Sequence, residues 1–82
     1  MVKIAFNPKF QDSFSKIKDS ILKEKIIKQI QKIKVNPEVG KPMMHDRKGT
    51  RELYIKPFRL AYAYLKKEDK AIILEFYHKK KQ

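Results

Sequence analysis

The residues of this 82-residue chain best equipped for chemistry lie in its second half. Tyr77-His78-Lys79-Lys80-Lys81 places a phenol, an imidazole and a run of ammonium groups in consecutive positions. Histidine ordinarily titrates near neutrality and can take or give a proton there, and crowded ammonium groups depress one another's pKa toward that range. Arg59 supplies a planar guanidinium that can hold a phosphate through two parallel hydrogen bonds. Tyr54 offers an aromatic face on which a base can stack, and Arg47 and Lys48 add cations nearby in sequence. Such a set suits phosphodiester cleavage without a metal, which needs a base for the attacking hydroxyl, cations for the crowded transition state and an acid for the leaving oxygen. Plainer readings stand beside it. A strand-end histidine is commonly a partly buried structural residue, a terminal lysine run is commonly a solvated tail, and Tyr54 and Tyr77 could be ordinary cross-strand partners of Arg59.

Other chemistry is closed off by composition. With no Cys there is no thiolate nucleophile, disulfide framework or cysteine-based zinc site. The two histidines, His45 and His78, do not make a metal site by themselves, so neither metal nor cofactor is expected. The 21 Lys and Arg outnumber the 9 Asp and Glu, for a net charge of +12, and ask for a polyanionic partner: nucleic acid, an anionic membrane surface or an acidic protein. The excess is spread along the chain and is densest at Arg47-Lys48 and Lys79-Lys80-Lys81. A Lys-rich solvated surface of the thermophile kind is the bland alternative. At 41% hydrophobic residues with two Gly and four Pro the chain is expected to fold rather than stay disordered. Its length fits one small domain over residues 1–82. Asn7-Pro8 follows Met1–Phe6 at once, leaving no apolar stretch for a signal peptide or membrane span. A cytoplasmic setting is expected.

These groups must be positioned by a short list of elements. Val2 to Phe6 reads as a strand bounded by Asn7-Pro8, an N-cap followed by a proline in the first helical position. Phe10, Phe14 and Ile17 then form the apolar stripe of a first helix. Asp19-Ser20 starts a second helix over residues 20–34, with Leu22, Ile26, Ile30 and Ile33 on one face and Ile27 widening it. Asn36-Pro37 ends it, and the stretch through Gly40, Pro42 and Gly49 reads as a loop. The period then changes from 3.6 to 2. Leu53 and Ile55, then Phe58 to Tyr64, then Ile72, Leu74 and Phe76 describe three strands joined by Lys56-Pro57 and by Lys66-Lys67-Glu68-Asp69, an antiparallel meander. The chain is therefore expected to be α+β, β-α-α-β-β-β, with a helical hairpin packed on one face of a small, mostly antiparallel sheet.

Burying the apolar stripes fixes a register. Tyr64 is expected to pair with Ile72, Tyr62 with Leu74, Leu60 with Phe76 and with Leu53, and Ile55 with Phe58, all on the covered side. The opposite parity then lies on an open face: Glu52, Tyr54, Arg59, Ala61, Ala63, Glu75 and Tyr77. Arg59 falls between Tyr54 and Tyr77, with the two basic runs at the margins, an arrangement suited to single-stranded RNA. His78 falls on the Phe58 side if the strand extends that far.

The segment Gly49-Thr50-Arg51-Glu52-Leu53-Tyr54-Ile55-Lys56-Pro57-Phe58-Arg59-Leu60-Ala61-Tyr62, followed by Ile72-Ile73-Leu74-Glu75-Phe76-Tyr77-His78-Lys79-Lys80-Lys81, resembles the RelE/ParE superfamily of type II toxin–antitoxin toxins. The upstream strand, helical hairpin and Asn-Pro-Glu loop resemble it too, so the likeness covers nearly the whole chain. The RelE branch implies a toxin that enters the ribosomal A site and cleaves the messenger through 2′-OH attack, without a metal, inhibiting translation. On that resemblance Arg59 and Lys80 stabilise the scissile phosphate. His78, with Tyr77 before it, matches the catalytic Tyr-His motif of YoeB-like members. Lys56 and Arg51 lie near the basic residues of the preceding strand, and Asp46 is a candidate acidic base. The RNA-contacting set is Arg47, Lys48, Arg51, Tyr54, Lys56, Lys79 and Lys81. The C-terminal helix on which some RelE members carry a functional tyrosine has no counterpart in these 82 residues. The implied partners are an acidic antitoxin, the ribosome and messenger RNA, with no membrane. Two other readings remain open: a ParE-like inhibitor of gyrase, and a noncatalytic RNA- or ribosome-binding module.

Overall fold

The computed structural model describes residues 1–43 and 49–78. After strand β1 (Lys3–Phe6), helix α1 (Pro8–Ser15) begins where Asn7 accepts a hydrogen bond from the Lys9 N–H at 2.8 Å, with Pro8 in the first turn. It ends at Ser15, sooner than the apolar stripe suggests, and Ile17 packs against the core from the connection that follows. Helix α2 (Ser20–Val35) is capped by Asp19, whose carboxylate accepts from the N–H groups of Ile21 and Leu22 at 2.9 and 3.3 Å. Lys32 and Lys34 lie in its last turn, beside the negative end of the helix dipole. Ile26 and Ile33 are fully buried, each burial contributing about 1.5–3 kcal/mol. Ile27, expected to widen that face, is 45% exposed instead, because it stands about 100° around the helix from Ile26.

Five strands form one sheet: β1, β2 (Lys41–Pro42), β3 (Thr50–Ile55), β4 (Phe58–Leu65) and β5 (Lys70–His78), in the order β1-β5-β4-β3-β2. The meander β3-β4-β5 is antiparallel as expected, and β1 adds in parallel to β5, with both helices and the strands β2 to β4 lying between them in the chain. The two-residue β2 was not expected, since the sequence there reads only as loop. It lies at the sheet edge, where a proline is tolerated.

One part of the expected register is wrong. Arg59 pairs with Tyr77, Leu60 with Phe76 and Ala61 with Glu75, but the ladder then shifts by one, so Tyr62 pairs with Ile73, Ala63 with Ile72 and Tyr64 with Ala71. A β-bulge at Leu74 absorbs the extra residue. Ala71 and Ile73 therefore occupy the core, not Ile72 and Leu74. The run Ala71-Ile72-Ile73-Leu74 is apolar on both parities and sits in an interior strand, so alternation alone cannot choose a register for it. On the β3 side the expected pairs hold: Leu53 with Leu60, Tyr54 with Arg59, Ile55 with Phe58. Among the described residues no helix is long and apolar enough to cross a membrane.

Candidate nucleic-acid interface on the open sheet face

Three adjacent strands put Tyr54, Arg59 and Tyr77 in one cross-strand row. Parity sends all three to the face opposite the core, where Glu52 lies one step along β3. Glu52 organises the group. Its Oε1 accepts from Arg59 Nη1 at 2.8 Å and its Oε2 from the Tyr77 hydroxyl at 3.1 Å. Arg59 and Glu52 keep 26% and 18% of their side-chain surface, enough contact with water that the ion pair contributes about 1 kcal/mol or less to stability. Its larger effect is to orient the guanidinium. Ala61, paired with both Glu52 and Glu75, is buried beneath this layer. The Tyr77 pKa is raised, first by burial and then by its hydrogen bond to Glu52 and the charge of that carboxylate, with Arg59 partly opposing. Tyr77 therefore stays protonated at neutral pH and acts there as a hydrogen-bond donor.

A recess of about 230 Å³ opens beside this row, lined by Lys41, Glu52, Tyr54 and Arg59. Lys41 reaches it because β2 pairs with β3, setting Lys41 opposite Glu52. Tyr54 is 53% exposed, and at another margin the Lys9 ammonium lies 3.5 Å from the Glu75 carboxylate. A guanidinium, an ammonium and a half-exposed aromatic ring around a small recess can hold a phosphate and stack a base.

The expected site residues do not all converge here. Arg51 has the other parity and pairs with Tyr62. Its Nη1 donates to the carbonyls of Glu38 and Gly40 at 3.0 and 2.7 Å, and its Nη2 lies 3.8 Å from the Glu38 carboxylate. That guanidinium holds a loop rather than standing on the open face. His78 ends β5 opposite Phe58, its ring set edge-on to that of Phe58 at 5.3 Å, on the side of the sheet away from Tyr77 and Arg59. Lys56 is exposed in the β3–β4 turn. Arg47, Lys48, Lys79, Lys80 and Lys81, with His45 and Asp46, lie outside the described residues. Two residues were missed as participants. Glu52 was legible as an open-face residue, but its pairing with Arg59 across the short turn went unread, and Lys41 could be found only by knowing β2. Among the described residues no group of three or more His, Cys, Asp or Glu could hold a metal ion.

A helical hairpin on a five-stranded mixed sheet of this order is the RelE-like α+β fold. The intact RelBE toxin–antitoxin complex of Escherichia coli contains a chain that superposes with a TM-score of 0.83 at 11% identity, over 95% of this chain and 96% of that one. A YoeB/ParE toxin from Agrobacterium tumefaciens gives 0.81 at 18% identity, over 93% and 96%. The RelBE2 toxin–antitoxin complex of Mycobacterium tuberculosis gives 0.79 at 22%, over 95% and 98%. Among curated proteins, none matches the chain. Residues 4–82 match the ParE toxin of the type II toxin–antitoxin system parDE, and the chain belongs to that family, within the RelE/ParE superfamily of toxins.

Proposed function

We propose that this toxin is a ribosome-dependent, metal-independent endoribonuclease that cuts messenger RNA in the A site and so inhibits translation. The observation that carries the reading is the open-face row in which Arg59, oriented by Glu52, stands between Tyr54 and Tyr77 beside a cationic recess. In the reaction the 2′-oxygen attacks phosphorus, the bond to the 5′-oxygen breaks, and a proton goes to that leaving oxygen. Arg59 stabilises the charge on the phosphorane, together with Lys80. Tyr77, protonated at neutral pH, supplies the proton, and His78, which ends the same strand, is the candidate to take the 2′-OH proton. The basic surface also accounts for two partners: ribosomal RNA, through its phosphates, and an acidic antitoxin that neutralises the toxin, as the solved toxin–antitoxin complexes of similar fold suggest. With these partners the protein would act in the cytoplasm.

The test is primer extension on messenger recovered from translating ribosomes exposed to the protein. Discrete cuts at A-site codons, reduced at least a hundredfold by Arg59→Ala with the fold intact, are the expected result. Uncut messenger, or wild-type cutting by the Arg59→Ala protein, sinks the reading. A second reading has its own support. The matched family is that of the ParE toxin, and the ring of His78 is turned away from Arg59, which favours a gyrase inhibitor acting by binding. Inhibited supercoiling with intact messenger would establish that alternative.

A further inference from the structure

The Glu52 carboxylate occupies two donors of the open face at once. One of its oxygens accepts from the Arg59 guanidinium at 2.8 Å and the other from the Tyr77 hydroxyl at 3.1 Å, the same pair of donors that two non-bridging oxygens of a phosphate would use. We propose that Glu52 is an internal phosphate surrogate: it holds Arg59 and Tyr77 in binding posture in the free protein, and an RNA phosphate binds by displacing it. The inference rests on the reading of this face as an RNA site.

What makes the exchange feasible is Lys41. It stands opposite Glu52 across the β2–β3 ladder and lines the same 230 Å³ recess. A carboxylate released from Arg59 therefore has a second cation beside it and is not left as an uncompensated charge. The recess is open to solvent through the half-exposed Tyr54, so the displaced side chain has room to turn. Glu52 thus acts through Arg59 and Tyr77 as a positioning residue. While paired, it keeps the guanidinium from binding anions indiscriminately, a useful restraint on a chain of net charge +12.

The experiment measures binding, not cleavage, with a fluorescein-labelled single-stranded 2′-O-methyl oligoribonucleotide, which has no free 2′-OH to attack. At about 0.1 M salt, Glu52→Gln is expected to bind about five- to tenfold more tightly than wild type, because the competing charge-assisted bond is weakened. Glu24→Gln and Glu68→Gln add the same charge at exposed positions away from Arg59 and should change affinity less than twofold. In an Arg59→Ala background the effect of Glu52→Gln should fall below twofold, since the two residues then no longer couple. Unchanged or weaker binding by Glu52→Gln overturns the proposal, as does tightening that persists without Arg59. The wild-type protein gives a check that needs no variant: saturating oligonucleotide should shift the Glu52 side-chain carboxylate ¹³C resonance, and an unmoved resonance overturns the idea. Wild type that binds no oligonucleotide refutes the RNA reading itself. Normal wild-type binding with an unaltered Glu52→Gln affinity refutes this inference alone.

Discussion

Tyr62→Phe removes one oxygen atom and should unfold a loop that the recess depends on. The Tyr62 side chain is completely buried. Its hydroxyl donates to the Pro37 carbonyl at 2.7 Å and accepts from the Gly40 N–H at 2.8 Å, so a single atom ties the core strand β4 to both ends of the turn that follows α2. Burial is the main cause of the raised pKa of this phenol, partly offset by the Gly40 N–H. Phenylalanine keeps the ring, and with it nearly all the apolar contact, but leaves the buried Gly40 N–H without an acceptor. An orphaned buried donor costs about 1–3 kcal/mol, and the lost bond to the half-buried Pro37 carbonyl, which water can partly replace, adds about 0.5–1.5 kcal/mol. The expected loss is therefore about 2–4 kcal/mol, or roughly 8–30 °C in Tm for a domain of this size.

Urea unfolding followed by circular dichroism would read this as a lower midpoint at an unchanged m-value. A loss below about 0.5 kcal/mol would refute the reasoning and leave Arg51, which donates to the Glu38 and Gly40 carbonyls, as the fastener of the loop. Gly40 tests the same contact from the other side. A Cβ there would meet the Tyr62 hydroxyl at 2.6 Å and its ring at 2.7 Å, so Gly40→Ala must displace the phenol and should cost about 1–3 kcal/mol. Because Gly40 precedes Lys41, either change should also weaken oligonucleotide binding at the recess a few-fold.

Three further outcomes are expected. Asp19→Ala, which removes the acceptor for two N–H groups at the start of α2, should lower stability by about 1 kcal/mol and Tm by about 4–8 °C in a thermal melt. Alkaline pH should destabilise the fold: Tyr62 and Tyr77 have pKa values raised above the ordinary 10.0, so their stabilisation is complete below about pH 10 and is lost as the pH rises from there through the folded-state values. A midpoint flat from pH 9 to 12 would contradict this, and Tyr62→Phe should flatten part of the decline. His78→Ala removes an edge-on contact with Phe58 and should cost about 0.5–1.5 kcal/mol. If cleavage of messenger is then unchanged, His78 serves packing and not proton transfer.

Most of this architecture could be read from local chemistry. Asn7-Pro8 and Asp19 start their helices where the caps predict, and Ile26 and Ile33 face the core as the 3.6-residue period requires. The change to period 2 located the meander, and the Lys56-Pro57 link fixed the β3–β4 register that sets Arg59 beside Tyr54. What escaped was non-local. Nothing in Lys41-Pro42 marks it as a strand until β3 is there to pair with it. Likewise, the bulge at Leu74 answers to β1, α1 and β4 together, none of which alternation within β5 can report. Arg51 looked like one more cation for RNA, and only the fold of residues 37–40 shows it tied to backbone carbonyls.

The bulge also explains why the site could be found despite the misjudged register. Between Phe58 and Ala61, β4 pairs with β5 as the simple alternation predicts, and only beyond Glu75 does the frame slip. Tyr77, Arg59 and Tyr54 all lie on the predicted side of that irregularity. The bulge lets β5 present Ala71 and Ile73 to the helices in one half and Phe76 in the other, while Glu75 and Tyr77 remain on the open face. Without the extra residue, burying Ile73 would put Tyr77 in the core and Phe76 in water, and Arg59 would lose one of its two aromatic neighbours. An irregularity of one residue thus reconciles the packing of the core with the chemistry of the exposed face, the setting in which bulges commonly re-aim a side chain.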